Sequence, residues 1–200
     1  MKKYIILSTT IIFIGVIIAI VWVSGQASPY PKPVLPQELA SWIVNVEDAI
    51  IETHSDYLYI QEAIGSTAVE LKNPQLLENN FKLQFQLLSL TQAATLHFSL
   101  QKENDIYDIE ISFSNQDNKI KLSKNKLFLL EKEVVSIRPN AYYGITIEHQ
   151  LDNLNFFVNE NRVLSMSIAP QPIQLGLSLI GHPNNPAAFE IRDMQIIPLP

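Results

Sequence analysis

From Ala40 onward the apolar residues of this chain fall on every second position. Phe81, Leu83, Phe85 and Leu87 alternate with Lys82, Gln84 and Gln86, and Leu96, Phe98 and Leu100 alternate with His97 and Ser99. Tyr107, Ile109, Ile111 and Phe113 alternate with Asp108, Glu110 and Ser112. Ile173, Leu175, Leu177 and Leu179 alternate with Gln174, Gly176 and Ser178. A period of two places one set of side chains on a buried sheet face and the other in water. Polar stretches separate the runs. They are Asn115 to Asn118, Ser123 to Asn125, Leu151 to Asn153 and Asn159 to Asn161. Asparagine and aspartate tolerate the positive φ of tight hairpins, so here they stand in for scarce glycine. Pro36 to Val46 has room for a short helical turn and nothing longer. In the last strand the apolar phase slips from odd (Phe189, Ile191) to even (Met194, Ile196), which predicts a bulge near Arg192-Asp193. About a dozen short strands with regular turns predict an all-β, two-sheet antiparallel sandwich over residues 38–200.

The N-terminus follows a different pattern. Residues 4–23, YIILSTTIIFIGVIIAIVWV, carry no charge. Twenty helical residues at ~1.5 Å each span about 30 Å, the thickness of a bilayer's hydrocarbon core. Ser8, Thr9 and Thr10 can return their hydroxyls to helix carbonyls, and Trp22 suits the far interface. The expectation is one transmembrane helix after a cytoplasmic tail, residues 1–3, held inside by Lys2 and Lys3. The remainder then lies outside the cytoplasm, as a single-pass membrane protein. A cleaved signal peptide ending at Gly25-Gln26-Ala27 is the alternative, and it exports the domain equally. Four prolines between Ser28 and Pro36 predict a semi-rigid stalk over residues 24–37.

Composition narrows the chemistry. The chain has no cysteine, which removes disulfides, thiol nucleophiles and thiolate metal sites. The 14 basic residues less Lys2 and Lys3 leave 12 against 20 acidic ones. An acidic domain is a poor partner for nucleic acid or acidic lipid. Nucleophile-elbow, phosphate-loop and dinucleotide motifs are absent from the sequence. His54, His97, His149 and His182 are scattered and predict surface or edge positions, with no metal site.

The order of strand motifs resembles concanavalin A-like and laminin G-like jelly rolls. Trp42 opens the series, and Asn80-Phe81-Lys82-Leu83-Gln84-Phe85 resembles their "NF-x-L-x-F/V" strand. Tyr107 to Ile111 resembles "Y-x-I-x-I", and Tyr142 to Glu148 resembles "W-Y-x-I-x-I-E". Phe157 to Val163 is similar to the "VYVNG-x-x-V" hairpin, Gln174 to Leu177 to "GxIGL", and Phe189 to Ile196 to the closing "V-x-F-R-N-I-x-I". Within this group the landmark order is closest to the branch named for 3-keto-disaccharide hydrolases, over roughly Trp42 to Leu199. Asn161 replaces the usual hairpin glycine, and Asn140-Ala141 stands where a tryptophan is common.

The resemblance implies lectins, glycosidases, adhesion modules or spacers, since the fold hosts all of these. Retaining glycosidases of this type carry E-x-D-x-x-E on one strand. Asp108-Ile109-Glu110 is the nearest match and lacks the third acid. Laminin G-like domains often hold calcium, for which Asp152, Asn153 and Asn155, or Asp117 and Asn118, offer oxygens. Tyr57 and Tyr59 are placed outward by Leu58 and Ile60, and sugars stack on such rings. Tyr57, Tyr59, His97, Asp108 and Glu110 are therefore the expected ligand-binding set, with Asp108 and Glu110 as the weak catalytic candidates. The expected function is a membrane-anchored module binding a glycan or cell-envelope polymer. The alternatives are a structural, complex-forming envelope subunit and a glycoside hydrolase.

Overall fold

The computed structural model describes residues 31–45, 47, 49–65, 68–77, 80–92, 94–102, 104–113, 119–133, 137–168, 172–181 and 184–200. The expected transmembrane segment 4–23 and the Asn115–Asn118 turn lie outside these. Among the described residues no helix is long and apolar enough to cross a membrane.

Two antiparallel sheets form the domain. Sheet A contains β1 (Lys32–Pro33), β2 (Ala49–Thr53), β3 (Tyr57–Glu62), β5 (Phe81–Ser89), β10 (Tyr142–Gln150), β11 (Asn153–Val158), β12 (Asn161–Ser167) and β14 (Ala188–Pro198). Its order is β12-β11-β10-β5-β14-β3-β2, with β1 also paired to β14. Sheet B contains β4 (Val69–Lys72), β6 (Ala94–Lys102), β7 (Asp105–Phe113), β8 (Lys119–Lys124), β9 (Leu127–Glu133) and β13 (Gln174–Ile180). Its order is β4-β13-β6-β7-β8-β9. Among the described residues one short α-helix, α1 (Pro36–Ala40), lies between β1 and β2.

The alternation sets the two faces of each sheet. Leu83, Leu87, Ile109, Ile111, Ile147 and Leu179 are fully buried, while the residues between them point outward. Aromatic rings knit the sheets together. Phe98 of sheet B packs against Phe85 at 5.8 Å and Phe156 at 5.5 Å, both from sheet A. Phe113 of sheet B meets Phe189 of sheet A edge-on at 5.4 Å. Tilted and edge-on geometries suit the ring quadrupoles.

The bulge expected in the last strand is present. The β14–β5 register shifts between Arg192 and Gln195, and Asp193 has a φ of 51°. Met194 is thereby returned to the core. Two hairpins turn on consecutive positive-φ pairs, Asn125-Lys126 and Asn159-Glu160. Both have the two-residue form that matches strand twist. The first turn lies one residue later than Ser123 to Asn125, because β8 runs on to Lys124.

Two expectations are corrected. Residues 31–37, read as the end of a free stalk, lie on the sandwich. Lys32 and Pro33 pair with Ile196 and Gln195, and Val34 is buried with its N–H donating to the Met194 carbonyl at 2.9 Å. Proline is tolerated here because β1 is only a two-residue edge element. His149, expected at the surface, is fully buried and lies 5.9 Å from the Phe81 ring. It follows Ile147 at the period of two and so takes an inward position.

Candidate functional site

The expected ligand-binding set divides between the two sheets. Tyr57 and Tyr59 stand on β3, on the outer face of sheet A. His97 on β6 with Asp108 and Glu110 on β7 stand on the outer face of sheet B. These are opposite outsides of the sandwich, so the five do not converge. The cause is topology: β3 pairs with β14 and β2, never with β6 or β7.

The tyrosine side is already occupied by its own contacts. The His54 ring stacks on Tyr57 at 4.1 Å from the β2 side, and the Arg192 guanidinium lies 4.7 Å from the same ring from the β14 side. Arg192 also lies 4.7 Å from the Tyr142 ring and bonds Glu190 at 2.8 Å. The Tyr142 hydroxyl donates to Glu190 at 2.7 Å. Burial, then this bond to a carboxylate, push the Tyr142 phenol up to about 12. Tyr59 donates to Gln61 at 2.5 Å. Burial and the charges of Glu52 and Glu190 raise its pKa too. The cluster is a stack of rings around one guanidinium, each group already engaged by its neighbours.

Sheet B carries a groove instead. Lys72, Gly176, Ser99 and Asp108 are register partners across four adjacent strands. The next row along the strands is Glu70, Ser178, His97, Glu110 and Lys121. Between these charged ends lies a groove of about 300 Å³, whose floor is Gly176, Ser99 and Ser178. Gln101 and Gln174 line it further along. The floor is low because its side chains are small. A Cβ on Gly176 would collide with the Ser99 hydroxyl.

One wall is a linked polar network. His97 Nδ1 lies 2.8 Å from an Asp108 carboxylate oxygen, and Lys121 donates to Glu110 at 2.9 Å. Burial lowers the His97 pKa, but the Asp108 bond and the charges of Asp108 and Glu110 outweigh it and leave the imidazole above its ordinary value. Because Nδ1 faces Asp108, Nε2 is the ring nitrogen left for a ligand. Hydroxyls, amides, an ammonium and carboxylates within one shallow groove can both donate to and accept from a polyhydroxylated ligand.

Of the expected set, His97 and Asp108 line this groove and Glu110 stands in the adjoining row; Glu70, Lys72, Ser99, Gln101, Gln174, Gly176 and Ser178, which also line it, were not in that set. The outward phase of β6 and β13 already marked Ser99, Gln174, Gly176 and Ser178 as exposed. The missing information was that β13 lies beside β6, a pairing between segments some eighty residues apart. A second hollow of about 460 Å³ lies on sheet A over Gly144, lined by Gln84, Gln86, Thr146 and Gln195. It is larger, but none of the five expected residues lines it.

Of the calcium candidates, Asn155 stands within β11 rather than in a loop, and Asp152 and Asn153 sit at the β10–β11 turn. The Asn153 amide donates to Asp152 at 2.9 Å, while Asp117 and Asn118 lie outside the described residues. Among the described residues no three His, Asp or Glu side chains come together as a metal site.

No family model matches the chain, and no curated protein sequence does. Solved structures share its fold. A Bacillus subtilis protein of unknown function with a galectin-like fold superposes with a TM-score of 0.63 at 11% identity, covering 84% of this chain and 94% of that one. The carbohydrate-binding module CBM66 from Bacillus subtilis gives 0.57 at 9% identity, covering 74% and 91%. The Bacillus licheniformis β-glucanase gives 0.56 at 11%, covering 77% and 83%. The chain therefore shares the two-sheet antiparallel β-sandwich fold of these structures. At these identities the likeness is one of fold.

Proposed function

We propose that this domain is a glycan-binding module whose ligand lies in the sheet B groove, across Gly176, Ser99 and Ser178. The observation that carries the proposal is the low hydroxyl-bearing floor beside the His97–Asp108 pair. Carbohydrate-binding and carbohydrate-cleaving proteins among the structural relatives support the ligand class. Residues 4–23 would hold the module at the outer side of a membrane, and a cell-envelope polymer is then the ligand within reach. The support for that anchor is the uncharged run itself, behind Lys2 and Lys3.

The test is binding of the full chain, in detergent, to a glycan array and to insoluble envelope polymers. His97→Ala/Asp108→Ala is expected to weaken binding at least tenfold, and Tyr57→Ala/Tyr59→Ala to leave it within twofold. No binding to any probe would sink the proposal. So would binding lost in the tyrosine variant and kept in the groove variant.

The finer likeness to 3-keto-disaccharide hydrolases gives a hydrolytic reading of the same groove. Asp108 and Glu110 would be its acids, though each is already paired, with His97 and Lys121 respectively. Turnover of a 3-keto-glycoside that disappears in Asp108→Asn or Glu110→Gln would favour that reading.

A further inference from the structure

Strand β9 closes sheet B at one end and has no strand on its far side among the described residues. Four successive apolar residues on it face water. Leu127 is 72% exposed, Phe128 64%, Leu129 50% and Leu130 43%. An edge strand with open N–H and C=O groups and an apolar surface is what folded proteins usually cover or interrupt with charge. The register shift opposite Leu122 and Ser123 sets Phe128 against Ser123 and Leu130 against Leu122, so that apolar side chains emerge on both faces.

The sequence of this edge points to its occupant. Lys126-Leu127-Phe128-Leu129-Leu130-Glu131 has a cation at one end, an anion at the other and only apolar residues between. A strand of this kind is complementary to itself when run antiparallel. Leu127 then faces Leu130 of the other copy, Phe128 faces Leu129, and Lys126 faces Glu131. Both ends pair in the same way, as a two-fold axis requires. Lys126, in the hairpin turn, makes no ion pair among the described residues. Glu131 already accepts from Lys119 at 2.7 Å and has a second oxygen to offer.

We infer that β9 is the contact edge of a homodimer, in which two copies pair antiparallel about a two-fold axis and join their B sheets. The contact is small, one strand per copy, so it belongs with weak and reversible associations. The groove over Gly176 spans β4 to β7, with β8 between it and β9, and stays open in both copies. A dimer would therefore carry two grooves on one continuous sheet.

Sedimentation of the full chain in detergent, from micromolar to submillimolar protein, is the first test. A monomer–dimer equilibrium is expected, with Leu129→Lys shifting the dissociation constant at least tenfold. Circular dichroism should report an unchanged fold, because Leu129 is half exposed. The lack of cysteine permits a test of register. Chains carrying Phe128→Cys mixed with chains carrying Leu129→Cys should form a mixed disulfide faster than either forms its own. A chain monomeric throughout overturns the inference, as does a dimer indifferent to Leu129→Lys. Cross-linking no faster in the mixture overturns the register.

Discussion

Glu62 is the most informative single residue for the stability of this fold. It ends β3, is 3% exposed, and its Oε2 accepts the Gly181 N–H at 2.9 Å and the Ala187 N–H at 3.0 Å. Its own N–H donates to the Ala187 carbonyl at 2.8 Å. One carboxylate thus fastens both ends of the β13–β14 connection to the end of β3. Glu62→Ala deletes two charge-assisted bonds and strands a buried amide at Ala187. Hydrogen bonds to a charged group contribute about 1.5–3 kcal/mol each, and an orphaned buried donor costs about as much again. Water can re-enter at the less buried Gly181, so the expected loss is about 3–4 kcal/mol. Against a typical net stability of about 5–15 kcal/mol this is a large fraction. Glu62→Gln keeps one acceptor oxygen and loses the charge, for a loss of about 1–2 kcal/mol. The assay is urea unfolding followed by the fluorescence of Trp42, which is buried beside β4. With a slope near 2 kcal/mol/M, Glu62→Ala should move the midpoint down by roughly 2 M. Hydrogen exchange at Ala187 should accelerate in parallel. A midpoint shift under about 0.5 M would refute the assignment of Glu62 as the clamp.

Other predictions bear on single contacts. The His97 pKa is raised in the fold, so its pairing with Asp108 stabilises most fully below the unfolded value, about 6.5, and that stabilisation fades as pH rises through the folded pKa. The effect should be under about 1 kcal/mol for this partly exposed pair, and parallel melts of wild type and His97→Gln across that range should converge at high pH. Arg192→Ala removes the cation between Tyr57 and Tyr142 and should cost about 1–2 kcal/mol by urea unfolding, with near-ultraviolet dichroism of the tyrosines reduced. Asp193 sits at a φ of 51°, so Asp193→Gly should be neutral or slightly stabilising and Asp193→Val should lose about 1–2 kcal/mol in the same assay.

Much of the local structure was legible because it depends on neighbours in sequence. Period-two alternation assigned Leu58 and Ile60 inward and Tyr57 and Tyr59 outward, as found. The phase slip at Arg192-Asp193 announced the bulge. What escaped was set by distant pairing. Tyr57 and His97 both point out, yet alternation does not say out of which sheet. Loop lengths and burial patterns leave open that β3 joins β14 while β6 joins β13. The exposed run at Leu127 to Leu130 escaped for a related reason. Four apolar residues in succession look like a buried strand, and only the position of β9 at the end of its sheet leaves them in water.

The pairing of β1 with β14 has a mechanical consequence. Any pull applied through residue 31 meets first a strand of two residues, then Val34 and the single turn of α1. Load on so short an antiparallel pair is taken by one or two hydrogen bonds at a time. Residues 31–40 would therefore peel away before the long strands of sheet A bear tension. At about 3.4 Å per extended residue they release roughly 30 Å of slack. The entry to the domain would act as a force buffer, yielding reversibly while the sheet B groove keeps its shape.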